Sequence, residues 1–373
     1  METILYGATR PRRVRARVPP IMANPRIAVI PGDGIGQEVV PQGVPVIDAA
    51  GRKWGFAVDW DEYDWSCEHH ARFGRMMPED GLSRIAGHDA IFLGAIGWPT
   101  VPDPVSLWTL LMPIRREFQL YANVRPVRLF DGVPSPLAGK KPGDIDMLIV
   151  RENNEGEYSE IGGRLHKGTD HEVALQESVF TRYGTERIMR YAFARAQERP
   201  RRSVTSATKS NGIIHTMPFW DERFRAIAAE NPGIATAQYH IDILAAHFVL
   251  RPERFDVVVA SNLFGDILSD LGPAVAGTIG IAPSGNINPE RRFPSMFEPV
   301  HGSAPDIAGR NIANPIGQIW SGAMMLEHLG HKQAADGIVA AIERVLASRA
   351  VLTPDMGGTA STQAMGEAIA AAL

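Results

Sequence analysis

A single cysteine, Cys67, stands in 373 residues. No intramolecular disulfide and no cysteine-based zinc cluster can form, and the chain is expected in a reducing cytoplasm. No apolar run approaches the roughly 18 residues that a membrane-spanning helix needs. Lysine is scarce: with six of them, 32 of the 38 basic residues are arginine. A net charge of −4 provides no general attraction to nucleic acid or acidic lipid. There is no internal repeat, low-complexity tract or Ser/Gly linker. With 45% hydrophobic and 21% charged residues, these absences leave a globular protein long enough for two lobes.

The charge is unevenly spread. Residues 1–21 hold Arg10, Arg12, Arg13, Arg15 and Arg17 against Glu2, a local +4 that leaves −8 for the rest. No apolar stretch of signal-peptide length follows these charges. An Arg-rich, acid-poor leader shares the look of a mitochondrial transit peptide, but Met22 precedes the first strand pattern. Residues 1–21 are therefore expected to be a disordered extension or the product of a start assigned too far upstream.

The body of the chain reads as α/β. Ile27-Ala28-Val29-Ile30 is a short apolar run ended by Pro31 and a glycine turn, with an amphipathic helix from about Gln37. Runs at 90–93, 147–150 and 255–259 are apolar on both faces, as in the middle of a sheet covered by helices on each side. Helical periods recur at about 180–198, 218–230, 241–249, 264–272 and 333–347.

Gly32-Asp33-Gly34-Ile35-Gly36 lies where a dinucleotide loop would, but its spacing is G-x-G-x-G, and Gln37 stands where G-x-G-x-x-G requires glycine. Neither Asp59 nor Asp61 is well placed as the ribose-binding acid. A standard Rossmann site is disfavoured, while a tight turn and a cofactor contact both remain open. In FGDILSD, Asp266 and Asp270 share one helical face at i,i+4, where like charges need a cation between them. Mg²⁺ or Mn²⁺ suits such oxygen ligands. A third acid, Asp242, lies in the apolar context YHIDILAAHFV, where an unpaired carboxylate is costly. Lys209 follows a strand pattern in SVTSATKSNGI, and lysine, unlike arginine, can lose its proton. Arg115, Arg125 and Arg151 stand out by context alone; Arg151 ends the strand MLIV and suits capture of a small carboxylate. Tyr158 follows in RENNEGEYSEIGG. In FEPVHGSAPDIAGRNIANP the backbone is compact, and Asp306 could accept from a ribose diol and repel a 2′-phosphate.

Taken in order, PGDGIG, NVRPV, RENNEGEY, ATKSNGI, FDVVVASNLFGDILSD and FEPVHGSAPDIAGRNIANP closely resemble the metal-dependent β-decarboxylating dehydrogenases, the isocitrate/isopropylmalate dehydrogenase family. The resemblance runs from about Arg26 to the C-terminus. It implies a two-lobed open α/β sheet of the isopropylmalate dehydrogenase type, not a Rossmann fold. One lobe, 22–120 with 277–373, would bind NAD, and 121–276 would carry the substrate and metal residues and a dimer interface. Arg115, Arg125 and Arg151 would clamp substrate carboxylates, and Tyr158 and Lys209 would be the acid/base pair. Asp242, Asp266 and Asp270 would hold Mg²⁺ or Mn²⁺, with K⁺ a candidate additional ion. His301, Gly302, Ala304, Asp306 and Asn314 would line the adenosine site. Lys209 and Asp242 would serve the active site of a neighbouring subunit, making a homodimer the minimum unit and a tetramer conceivable.

Within that family, the segment Leu107–Arg116 reads the substrate's variable C3 group through Trp108 and Leu111. LWTLLMPIRREF with RPVRLFDGVPSPL resembles the tartrate/D-malate branch most, and a bulky Trp108 would restrict C3 to hydrogen or hydroxyl. Asp306 with Ile307 points to NAD rather than NADP. The implied reaction oxidises C2 as Lys209 takes the hydroxyl proton, then loses CO₂ as Tyr158 protonates C3. The alternatives are a 3-isopropylmalate dehydrogenase and a non-catalytic regulatory subunit. The second would be expected to lack part of the acid/base or metal set, which is complete in this chain.

Overall fold

The computed structural model describes residues 24–373; the arginine-rich leader and Met22 lie outside the described residues. The doubly apolar runs become the interior of one ten-stranded sheet. Its strands in chain order are β1 (Arg26–Gly32), β2 (Asp59–Glu62), β3 (Ala90–Ala95), β4 (Ala122–Arg128) and β5 (Asp146–Glu152). A separate exposed ribbon of β6 (Gly162–Leu165) and β7 (Val173–Gln176) follows. The sheet then resumes with β8 (Ser203–Thr208), β9 (Ala235–His240), β10 (Val257–Ala260), β11 (Pro283–Ile287) and β12 (Ser295–Pro299).

The spatial order β2-β1-β3-β12-β11-β4-β5-β10-β8-β9 divides the sheet into three parts. At one side β2, β1, β3 and β12, taken from both ends of the chain, run parallel. At the other, β5, β10, β8 and β9, taken from the middle, also run parallel. The central pair β11 and β4 joins them through antiparallel ladders. These central strands are polar, which hid them from a hydrophobicity reading. Asn123 and Asn286 face each other across the β4–β11 ladder, and Asn123 Nδ2 donates to Asn286 Oδ1 at 2.9 Å. Asn153 and Glu298 complete this buried amide network, so no buried donor there is sacrificed to the sheet's centre.

The helical periods appear at Arg182–Gln197, Thr216–Glu230, Ile241–Leu250, Asn262–Ala276 and Lys332–Ser348. The first glycine loop is a tight turn with positive φ at Gly32 and Gly34. A Cβ on Gly34 would lie 2.1 Å from the Ser303 carbonyl, to which Ile35 N–H donates at 2.9 Å. Glycine thus lets the first βα turn close against the His301–Asp306 loop. Asp59 and Asp61 lie within β2 rather than after it. Cys67, outside every motif in sequence, packs against this turn: its N–H donates to Asp33, and burial with the Asp33 carboxylate pushes its thiol up to about 12. No described helix is long and apolar enough to cross a membrane.

Candidate active site

The carboxyl ends of parallel strands are where open α/β sheets leave room for ligands. Arg151 stands near the end of β5, and Asp266 and Asp270 lie on the helix that follows β10. Two features bring that helix onto β5. A Cβ on Gly265 would lie 2.6 Å from the Arg151 Cβ, so only glycine permits the approach. Glu157, one residue before Tyr158, receives Ser261 Oγ at 2.8 Å and Leu263 N–H at 3.0 Å, capping the helix from outside its own sequence.

Asp266 is the hub. Arg151 pairs with its Oδ1, Tyr158 donates its hydroxyl to its Oδ2 at 2.8 Å, and Arg125 lies 3.7 Å away. Burial raises the Asp266 pKa, but the Arg151 and Arg125 charges and the tyrosine bond outweigh it and hold the carboxyl below its usual range. Arg125 also stands 3.5 Å from Asp270, so a guanidinium charge lies beside both acids. Burial pushes Asp270 up, with Arg125 pulling against it and the Asp266 charge adding to it. Burial, followed by the bond to Asp266, raises the Tyr158 phenol and keeps it protonated.

Each arginine is oriented by a neutral or acidic partner that motif reading did not identify. Arg151 Nε and Nη2 both reach Asn262 Oδ1, at 3.1 and 2.7 Å. Arg125 donates to Ser269 Oγ at 2.6 Å. Arg115 donates to buried Glu298 at 2.8 Å. Asn262, Ser269 and Glu298 all lie inside the quoted motifs, but their roles depend on pairing across 111 to 183 residues. Among the described residues, Arg115 Nε and Arg125 Nε are buried without hydrogen-bond partners. Trp108 and Leu111 lie half-buried on a π-helical turn, Leu107–Leu111, that runs into the helix Met112–Glu117 carrying Arg115.

Lys209 and Asp242 lie just beyond the ends of β8 and β9 and bind each other at 2.8 Å. Here the apolar context misleads: the Asp242 side chain is 66% exposed, because its helix turns that face outward. Its carboxyl is held below the usual range mainly by the Lys209 bond. Among the described residues, no hydrogen bond or ion pair joins this pair to the Asp266 cluster. No group of three metal-ligating side chains gathers among them either. The three aspartates thus divide as two plus one. The chemistry of the Asp266–Asp270 face, two hard oxygen donors on successive helical turns, fits two ligands of a divalent cation.

The His301–Asp306 loop is open toward solvent at Gly302 and Asp306. Among the described residues, His301, Gly302, Ser303, Ala304 and Asp306 donate no backbone hydrogen bond. His301 Nε2 is buried without a partner, and burial lowers its pKa, leaving a neutral imidazole. These unspent groups fit a nucleotide. Asn314 is the exception: its side chain donates to Asp355 and accepts from Ile316 N–H, both at 3.0 Å, so it shapes the loop from behind.

The isocitrate/isopropylmalate dehydrogenase family model matches residues 26–369. The decarboxylating D-malate dehydrogenase of Escherichia coli (strain K12) is 62% identical over 356 residues, spanning 94% of this chain and 98% of that protein. The tartrate dehydrogenase/decarboxylase of Pseudomonas putida is 60% identical over 352 residues, spanning 92% and 96%. The crystal structure of isocitrate dehydrogenase from Methylococcus capsulatus superposes with a TM-score of 0.84 at 37% identity, covering 93% of this chain and 98% of that one.

Proposed function

Because this chain belongs to the isocitrate/isopropylmalate dehydrogenase family, we propose that it oxidatively decarboxylates a small (R)-2-hydroxy dicarboxylate, using NAD and Mg²⁺ or Mn²⁺. D-malate, tartrate or both are the substrates we assign, in line with the activities for which two relatives are named. The observation that carries this reading is the convergence of Arg125, Arg151 and Tyr158 on Asp266, with Arg115 beside them on Glu298.

When bound, the dinucleotide supplies the hydride acceptor and the divalent cation supplies Lewis acidity. Asp266 and Asp270 would hold the cation together with Asp242 of the partner subunit. The spare donors of Arg115 and Arg125, with Arg151, bind and orient the substrate carboxylates. The partner subunit's Lys209 receives the C2 hydroxyl proton. Tyr158, kept protonated and aimed by Asp266, delivers a proton to C3 after CO₂ leaves. Trp108 and Leu111 face the C3 substituent. His301, Gly302, Ala304 and Asp306 receive the adenosine, with Asn314 as support, and the exposed Asp306 carboxylate disfavours a 2′-phosphate.

The two parallel halves of the sheet support the assignment of 22–120 with 277–373 to the NAD lobe and 121–276 to the central lobe. A second copy of the chain is the partner. Exposed apolar side chains support it: Leu165, Val173 and Leu175 on the ribbon, with Ile243, Leu250 and Ile267 on the two helices that bear the aspartates.

Parallel kcat/KM measurements with D-malate, L-tartrate, meso-tartrate and 3-isopropylmalate test the proposal. D-malate or a tartrate should dominate, and EDTA should abolish turnover. Dominant 3-isopropylmalate activity would overturn the substrate assignment, and EDTA-insensitive turnover the metal.

A further inference from the structure

Arg116 belongs to none of the roles described so far, yet it touches two of them. Its guanidinium lies 4.8 Å from the centroid of the Trp108 ring. Nη2 donates to the Tyr158 carbonyl at 3.2 Å, and Nη1 pairs with Glu160. A side chain from the segment that reads C3 thus spans to the loop that carries the proton donor.

The π-helical turn explains how Arg116 comes to this place. Seven residues make nearly two α-helical turns, so an uninterrupted helix would stack Trp108 with Arg115. A π turn carries one residue more. That surplus gives Arg116 the place over Trp108 and turns Arg115 inward to Glu298. Long helical side chains lean toward the N-terminus, which brings Arg116 back over the indole. The Arg116 side chain is 26% exposed, while Glu160 is 66% exposed. A surface ion pair of this kind adds little stability. What the contacts fix is orientation: a planar cation lying over one ring and forked onto two acceptors has few alternative poses.

We propose that Arg116 is a positioning residue that locks Trp108 to the Tyr158 loop and so sets how strictly the site selects a small C3 substituent. The inference rests on the roles assigned above to Trp108 and Tyr158. Without Arg116, the indole can swing from the cleft, and the distance between the C3 wall and the proton donor is no longer set.

The test measures kcat and KM for D-malate and 3-isopropylmalate in the native enzyme, Trp108→Ala, Arg116→Ala, Arg116→Lys and the Trp108/Arg116 double alanine variant. Where 3-isopropylmalate is not turned over, its competitive inhibition constant is used. Trp108→Ala should shift the preference toward 3-isopropylmalate. Arg116→Ala should shift it the same way by about ten-fold, the scale of a hydrophobic-pocket discrimination. The change should fall more on the KM for D-malate than on kcat. The double variant should add little to either single change, because both break one contact. Arg116→Lys keeps the charge but not the plane, and should lie between Arg116→Ala and the native enzyme.

A role confined to folding would lower activity toward both compounds alike. An unmoved preference in Arg116→Ala, or additive effects in the double variant, would overturn the inference while Trp108 kept its role. An unmoved preference in Trp108→Ala would remove the reading of Trp108 and the inference with it. Should Arg116→Ala fail to fold, Glu160→Gln serves, since it releases one anchor and should shift the preference in the same direction by less.

Discussion

Two groups of expected catalytic side chains lie beyond the ends of neighbouring strands, and their surroundings are opposite. Around Asp266, the arginines are buried, and each carboxylate and hydroxyl has a protein partner. Among the described residues, Lys209 and Asp242 pair as side chains with each other alone, with Asp242 largely in solvent. A buried cluster orients itself and cannot give up a member without leaving a charge unpaired. An exposed ion pair is weak and readily exchanged for other partners. The difference teaches that burial commits the first group to its own chain; in the proposed dimer it would be one half-site, which the exposed pair of the other copy would complete.

The largest effect should come from treating the two groups identically. Asp266→Asn and Asp242→Asn should each lower kcat by about a thousand-fold, the scale of losing an electrostatic or acid/base element. Only Asp266→Asn should also destabilise the fold, by about 3 kcal/mol, because it leaves Arg151 and Arg125 buried with less opposing charge. Asp242→Asn should change stability by no more than about 0.5 kcal/mol. Urea unfolding at pH 7.5 distinguishes them; equal destabilisation would erase the contrast.

Mixing tests whether the exposed pair serves a neighbour. Tyr158→Phe and Lys209→Met should each be impaired by about 10²- to 10⁴-fold as homodimers. After joint refolding, random pairing places one intact site in each heterodimer, and activity should recover to about a quarter of the native value. No recovery despite heterodimer formation would place both residues in one chain's site.

A smaller effect probes the nucleotide loop. Asp306→Lys should move the NAD/NADP ratio of kcat/KM toward NADP by about ten- to a hundred-fold, since a cation would now meet the 2′-phosphate. Unchanged selectivity would remove Asp306 from the adenosine site.

Much of this was legible in the sequence because it is local. The parallel strands β1, β3, β5 and β10 are continuous apolar runs, and Arg151 follows one of them directly, while Lys209 follows the strand pattern of SVTSAT. Asp266 and Asp270 share a face by spacing alone. What stayed hidden depends on chain separated by a hundred residues or more. The β4–β11 centre is polar, and its amide donors find their partners only across the fold, at Ser284, Asn286 and Glu298. Glu298, Asn262 and Ser269 acquire their roles from the arginines they meet. Asp242 misleads because an apolar neighbourhood in sequence need not be a buried one in the fold. Helix Ile241–Leu250 instead carries apolar residues on an exposed face as well. Arg116 was hidden by a single π turn, which no hydrophobic period reveals.

The buried half-site also carries an electrostatic load that the exposed pair does not. Glu152, next to Arg151, is 2% exposed. Burial pushes its pKa from 4.5 to about 7; backbone bonds and Arg187 oppose the rise, and the Glu155 charge adds to it. Its Oε2 accepts from Asn154 and Glu155 N–H at 2.9 and 2.7 Å, while Oε1 has only Arg187 at 3.7 Å. The folded chain therefore keeps this proton where the unfolded chain has lost it. Below pH 4.5 both states are protonated and no penalty exists. Between 4.5 and 7 the folded state binds more protons, so stability falls as pH rises, and above 7 the loss is complete at about 3 kcal/mol. Glu152→Gln removes the titration yet keeps an oxygen for the two N–H groups. Its stability relative to the native protein should rise between pH 5 and pH 8 by about 1–3 kcal/mol, measured as the difference in urea unfolding free energy. A Gln variant whose stability tracks the native protein at both pH values would mean that Arg187 already neutralises Glu152, and that the buried half-site holds no charge at a cost.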